Sequence, residues 1–241
     1  GHHRGHGRHR RLQTPALGWT YRSREQVTAL RPDEREVLLL PLLLEKIKQV
    51  NPTILISTFR SWQEIYDWWE KLATPQMQAD AAIRETVATL VAKSVTAEEK
   101  ARAIYAFCCR NIRYVAVEYG QAGYTPHAAA DIFGNKYGDC KDQAVLLVTM
   151  LRCAGLSAWP VLIPTKTCYD LDPDFPAIFF DHCIAAVKIE DAVVFMDPTA
   201  ETCSFGDLPV PDQQRRVLIY KEDTYAITQT PMFAPEHNRV I

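Results

Sequence analysis

The sequence predicts an α+β fold in which helices come first and an antiparallel sheet follows. Between residues 61 and 153 apolar residues recur at helical spacing, behind Ser and Thr caps. Beyond Gly155 the period falls to two, in "SAWPVLI", "FFDHCIAAVKI" and "AVVFMDPT". At the changeover lies "NKYGDCKDQAVLLVTMLRCAGL" (135–156), where Cys140 sits in a polar notch between Asp139 and Lys141-Asp142, just ahead of a strongly apolar run. A cysteine that merely filled a core would be surrounded by Leu and Val.

Composition narrows the function classes. With 241 residues, 47% of them apolar and 23% charged, the chain can bury a full core. A net charge of -2 gives no global pull toward nucleic acid or an anionic membrane. The longest apolar run, 37–44, contains Pro41 and is far short of the roughly 18 residues a membrane span needs. Acidic residues precede it, so it does not resemble a signal-peptide core. The seven cysteines are odd in number and form no CxxC pair, which argues against a disulfide framework. Four of the seven histidines lie in the opening "GHHRGHGRHRR", expected to be a tail with nothing to bury. His-dependent chemistry in the body must therefore use His127, His182 or His237.

The elements follow in order. "TILISTF" (53–59) is a short β-branched strand after Asn51-Pro52. Ser61 and Glu64 form the pattern of a capping box, opening a helix with Trp62, Ile65, Trp69 and Leu72 on one face. The tryptophans are expected in the core rather than in a ligand cage. Thr96 and Glu99 repeat the pattern for a helix through Arg110, with Ile104, Phe107 and Cys108 inward and Cys108-Cys109 as packing residues. A short extended piece and a loop punctuated by Gly and Pro lead to Cys140. Ala144, Leu147 and Leu151 then share a face with it, so the cysteine rides on the N-terminus of a buried helix. "RRVLIY" adds a fourth strand to the three beyond Gly155.

Chemistry comes from placing Cys140, His182 and Asp197 together. Glu190-Asp191 predicts a tight hairpin between the strands that carry His182 and Asp197. A two-residue loop pairs Ile189 with Ala192, so His182 faces Thr199 with Asp197 diagonally beside it. A four-residue loop sets His182 directly opposite Asp197; both keep the pair on one face. A helix N-terminus and an adjacent imidazolium are the two usual means of activating a thiol. Cys140 would attack a carbonyl carbon, His182 would carry the proton, and Asp197 would orient the imidazole. The Cys140 N–H, with Gln121 or Tyr124 as alternatives for a partner, would face the oxyanion.

"YGDCKDQAVLLVTMLRCAGLSAWPVLI", "DHCIAAV" and "FMDPT" together resemble the three-part signature of the transglutaminase-like cysteine enzyme superfamily. The likeness is closest to bacterial proteins in which a β-rich domain of unknown function precedes the transglutaminase core, and it extends over roughly 50–235. It implies a papain-like α+β fold, with N-terminal helices and a catalytic Cys at a helix N-terminus packed on an antiparallel sheet. It also implies catalytic roles for Cys140, His182 and Asp197, with no cofactor. The expected division is a tail and remnant of an upstream domain (1–50), a transglutaminase-like core (51–235) and the start of a further domain or tail (236–241). The reaction implied is acyl transfer or hydrolysis at carboxamide or peptide bonds, with a protein or peptide as substrate and further domains of a larger parent protein as partners. Such proteins often work outside the cytoplasm, and no export signal is visible here.

Competing readings exist for each part. The same groove could serve a catalytically inactive peptide-binding module. Cys140, His182 and Asp197 could hold zinc with Cys183 or Cys203, but Cys183 points to the strand face opposite His182, which makes a tetrahedral site awkward. Asp170, Asp172 and Asp174 mimic the start of a calcium loop; Pro173 and Phe175 stand where flexibility and a Gly are needed. His127 is expected to cap or pack near the site rim.

Overall fold

The computed structural model describes residues 12–13, 20–23, 54–116 and 123–234. The His- and Arg-rich opening, the 37–44 apolar run, Gln121 and His237 lie outside the described residues. β1 (Leu12–Gln13), β2 (Thr20–Ser23) and β3 (Ile54–Ser57) form a small antiparallel sheet, with Tyr21 opposite Ile56. Five helices follow among the described residues: α1 (Trp62–Ala73), α2 (Ala81–Val91), α3 (Ala97–Asn111), α4 (Ala129–Asn135) and α5 (Cys140–Cys153). Two-residue strands β4 (Arg113–Tyr114) and β5 (Tyr137–Gly138) pair in parallel just ahead of α5.

The helix starts are set locally. Thr96 and Glu99 make the reciprocal capping box expected of α3. At α1 the Ser61 hydroxyl accepts from the Glu64 N–H, but the Glu64 carboxylate takes the Arg60 N–H at 2.7 Å, one residue beyond the expected partner. Trp62, Ile65 and Trp69 are buried as their spacing predicts, while Leu72 is half-buried at the margin. Cys108 is buried, and Phe107 is half-buried against Phe133.

The main sheet has the order β10-β9-β6-β7-β8 and is antiparallel throughout. Its strands are β6 (Ala158–Ile163), β7 (His182–Ile189), β8 (Ala192–Met196), β9 (Arg216–Lys221) and β10 (Thr224–Gln229). The central strands β6, β7 and β9 alternate between two buried faces. In β6, Ala158 and Leu162 meet the helices, whereas Trp159, Val161 and Ile163 join Ile184, Ala186 and Phe195 on the far side. Two covered faces explain why these three strands are so apolar. Pro160 is tolerated in a central strand because β9 pairs with β6 only at Val161 and Leu162.

α5 is the centre of the molecule. Residues 140–151 are all buried, not only the face that carries Ala144, Leu147 and Leu151. α2, α3 and α4 pack against one side, and β6 and β7 against the other. Each large side chain buried there contributes about 1.5–3 kcal/mol. This enclosure fixes the N-terminus of α5 against the start of β7.

Candidate active site

The polar notch is a helix cap built from the residues around Cys140. Asp139 is the N-cap: its carboxylate accepts the Asp142 N–H at 3.3 Å, and the Asp142 carboxylate accepts the Asp139 N–H at 3.3 Å. Asp139 also pairs with the Lys141 ammonium, both groups being buried. Burial pushes the Asp139 carboxyl up, an effect that Lys141 opposes. Asp142 further accepts the His127 N–H at 2.8 Å and meets His127 Nδ1 at 3.0 Å. His127 therefore fastens the preceding loop to the cap, the capping role expected of it. Gly138 is required by close approach, because a Cβ there would lie 2.6 Å from Asp142 Cβ. The result is Cys140 as the first residue of α5, only 8% exposed.

The hairpin adopts the two-residue connection. Ile189 pairs with Ala192 and Ala185 with Met196, and Glu190 takes a left-handed φ of 52° in the turn. This register leaves Asp197 diagonal to His182, and Nε2 of His182 lies 3.1 Å from Asp197 Oδ2. Asp197 Oδ1 accepts the Thr199 N–H at 2.9 Å and its hydroxyl at 2.7 Å. Burial opposes charge on His182, but the hydrogen-bonded Asp197 carboxylate and the nearby Cys140 thiol outweigh it and hold the imidazole well above its usual range. Burial likewise disfavours the Asp197 carboxylate, but His182 and Thr199 outweigh it and bring its carboxyl below the ordinary value. With Nε2–H directed at Asp197, the other side of the ring is left for the Cys140 thiol.

Two further side chains brace the group. The Tyr105 hydroxyl, from α3, donates to the Asp197 carbonyl at 3.1 Å. Gln143, one turn into α5, satisfies both amide atoms when its nitrogen is turned toward the Pro198 carbonyl at 2.9 Å and its oxygen toward the Tyr114 N–H at 3.2 Å. The cysteine helix and the aspartate strand are thus tied to each other directly.

A second acid stands beside the imidazole. Asp212, in a 3₁₀ turn (Val210–Asp212), is 1% exposed, and its Oδ2 lies 3.9 Å from His182 Nε2 with no hydrogen-bond partner. Burial, reinforced by the Asp197 charge, pushes its carboxyl up to about 7, although His182 opposes the shift. The sequence reading missed this residue. An Asp among prolines, 15 residues past Asp197, carries no periodicity or capping pattern that singles it out.

Among the described residues, His182, Asp197 and Asp212 are the one set of three potential ligands whose atoms converge, all within 4.8 Å. Within that set the imidazole is hydrogen-bonded to Asp197, and Asp197 also to Thr199. Cys183 is not among them; it lies in the apolar cluster with Cys140 and Ala144. Asp170, Asp172 and Asp174 do not converge either. Asp170 accepts the Arg216 N–H, and Asp172 accepts the Asp174 N–H.

A groove of about 400 Å³ opens at Cys140 and His182, with Trp68, Tyr124, Ile178 and Phe180 in its walls. Trp62 and Trp69 are buried as expected, each indole N–H bonded to a carbonyl, of Pro173 and Tyr124 respectively. Trp68, only half-buried, is the exception, with its ring against Tyr124. Tyr124, one of the two oxyanion alternatives, is 52% exposed on that wall.

Residues 84–198 match the family model of the transglutaminase-like superfamily, a span that includes Cys140, His182 and Asp197. A provisionally assigned protease from Parabacteroides distasonis shares the fold at a TM-score of 0.57 and 16% identity, over 76% of this chain. The chain spans 34% of that structure's length. A provisionally assigned cysteine protease from Cytophaga hutchinsonii aligns at a TM-score of 0.39 and 18% identity, over 53% of this chain and 42% of its own. A structure described as a TGase aligns at 0.30 and 15%, over 62% of this chain and 41% of its own. No curated protein matches the sequence. Among the described residues, no helix is long and apolar enough to cross a membrane.

Proposed function

We propose, from the match of residues 84–198 to the transglutaminase-like family model, that this chain is a thiol enzyme that cleaves carboxamide or peptide bonds through a Cys140 acyl-enzyme. The observation that carries the reading is the His182–Asp197 hydrogen bond of 3.1 Å, made at a groove that His182 lines together with Cys140. In this mechanism Cys140 Sγ attacks the carbonyl carbon and the C–S bond forms. His182, holding the thiol proton, delivers it to the departing amine as the C–N bond breaks. Water or a second amine then attacks the thioester, passing its proton to His182, and the thiolate leaves. Asp197 keeps the ring oriented and stabilises the imidazolium throughout. The Cys140 N–H, at the start of α5 where backbone donors lack intrahelical partners, faces the developing oxyanion. The substrate is a protein or peptide segment lying in the aromatic-walled groove. We also propose that the catalytic unit occupies 51–235 of a larger protein.

The test is alkylation by limiting iodoacetamide at pH 7, read cysteine by cysteine by peptide mass spectrometry, on wild type and His182→Ala. Cys140 should react fastest of the seven despite its burial, and should lose on the order of tenfold or more in the variant. If Cys140 reacts no faster than the other cysteines in wild type, the nucleophile assignment is wrong and a binding module becomes the better description.

A further inference from the structure

Asp212 lies beyond the residues that match the family model, and nothing in the reaction as written uses it. Its backbone has ordinary work to do: the N–H donates to the Pro209 carbonyl, and the carbonyl accepts the Thr230 hydroxyl. Its side chain does not. Oδ2 is sealed from solvent without a hydrogen-bond partner, a costly state for an ionised carboxylate. An apolar residue would fill the turn without that cost. What the carboxyl does have is position, 3.9 Å from the same imidazole nitrogen that binds Asp197.

We propose that Asp212 is a positioning residue for the reaction, a second carboxylate that exchanges a proton behind the His182–Asp197 pair and so sets how firmly the imidazolium is held. This inference rests on the catalytic reading above. Two buried carboxylates whose oxygens lie within 4.8 Å of each other cannot both ionise freely, so they share a proton over part of the pH range. With the proton on Asp212, the imidazolium sees one full counter-charge, on Asp197. When the proton departs to solvent, a second negative charge appears beside Nε2 and His182 keeps its own proton to higher pH.

The other charged and titratable neighbours do not neutralise Asp212. Asp181, next to His182, adds to the negative field, and the Cys203 thiol is itself pushed up by burial and by Asp197, Asp207 and Asp212. Arg215, the nearest cation along the chain, is turned away. Its guanidinium donates to the Pro164 carbonyl at 2.6 Å and the Cys168 carbonyl at 3.0 Å, and meets Asp170 at 3.7 Å. The carboxyl pushed up to about 7 agrees with a proton that comes and goes near neutrality.

The test is NMR titration of the His182 ring nitrogens in the full chain, assigned by their loss in His182→Ala, in wild type and Asp212→Asn. Wild type should show an inflection near pH 7 ahead of the ring's own titration. Asp212→Asn should lose that inflection and release its ring proton at lower pH, by an amount on the order of one pKa unit. Asp212→Glu should restore the inflection at a shifted pH, which a purely structural role would not do. A His182 titration identical in wild type and Asp212→Asn overturns the inference. Should Asp212→Asn not fold, carboxyl-carbon titration of wild-type Asp212 decides, since a midpoint in the ordinary carboxylate range near 4 refutes it. These readouts need no turnover. A His182 that senses Asp212 while Cys140 ignores His182 would refute the thiol mechanism and leave this coupling standing.

Discussion

Replacing Asp212 by Asn should make the protein more stable above neutral pH. The carboxyl is pushed up to about 7 in the fold against an ordinary value of 3.8. The folded chain therefore binds an extra proton between those limits. A raised folded-state value contributes stability that is complete below the unfolded value and is lost as pH climbs through the folded one. The loss begins near pH 4 and is finished shortly above pH 7. About three units at roughly 1.4 kcal/mol each sets an upper bound of about 4 kcal/mol. Between pH 5 and pH 8 alone, wild type should lose about 2–3 kcal/mol relative to Asp212→Asn, which carries no charge at either pH. Urea unfolding of both proteins at pH 5 and pH 8 measures this as a difference of differences, in which titrations common to both cancel. Parallel stability curves across that range would refute the reasoning, because they would mean that Asp212 ionises alike in the folded and unfolded chains.

Two further outcomes concern the scaffold around the pair. Gly138→Ala brings a methyl group within 2.6 Å of Asp142 Cβ, so the cap must shift. The expected cost is about 1–3 kcal/mol in urea unfolding, with slower alkylation of Cys140, and unchanged stability would show that the cap accommodates a methyl group. Thr199→Val deletes the hydroxyl that donates to Asp197 Oδ1 at 2.7 Å, so the Asp197 carboxyl should move up toward its ordinary value. Its lowered value contributes stability above about pH 4 that is lost as pH falls. The variant should therefore begin acid unfolding at higher pH and be about 1–2 kcal/mol less stable at pH 7. An unmoved acid midpoint would mean that the backbone N–H of Thr199 suffices.

What the sequence disclosed and what it withheld divide along a physical line. Features written in a few consecutive residues were legible: the Thr96 box, the Cys140 helix start, and the Glu190-Asp191 turn that fixes the parity of His182 and Asp197. Features made by packing were not. The spacing of Ala144, Leu147 and Leu151 describes one apolar face, but α5 is enclosed on every side, so even Lys141 and Asp142 are buried and satisfied by partners. α2 and β10 carry weak patterns and were not distinguished as elements. At Ser61 the box pattern was present, yet the chain entered the helix at an angle that gave Glu64 to Arg60. Asp212 was invisible because only the return of the chain past the start of β7 gives it a neighbour.

The enclosure of α5 also bears on how the site fails. Amide exchange from a helix surrounded by three helices and two strands requires an opening as large as the core itself, so α5 belongs to the last cooperative unit to come apart. Cys140 stands at the edge of that unit, His182 starts a strand packed directly against it, and Asp197 is hydrogen-bonded to His182. Fraying of the groove walls or of the small leading sheet would leave the three side chains in register. Under heat or denaturant, the capacity to bring them together should persist until the whole domain unfolds.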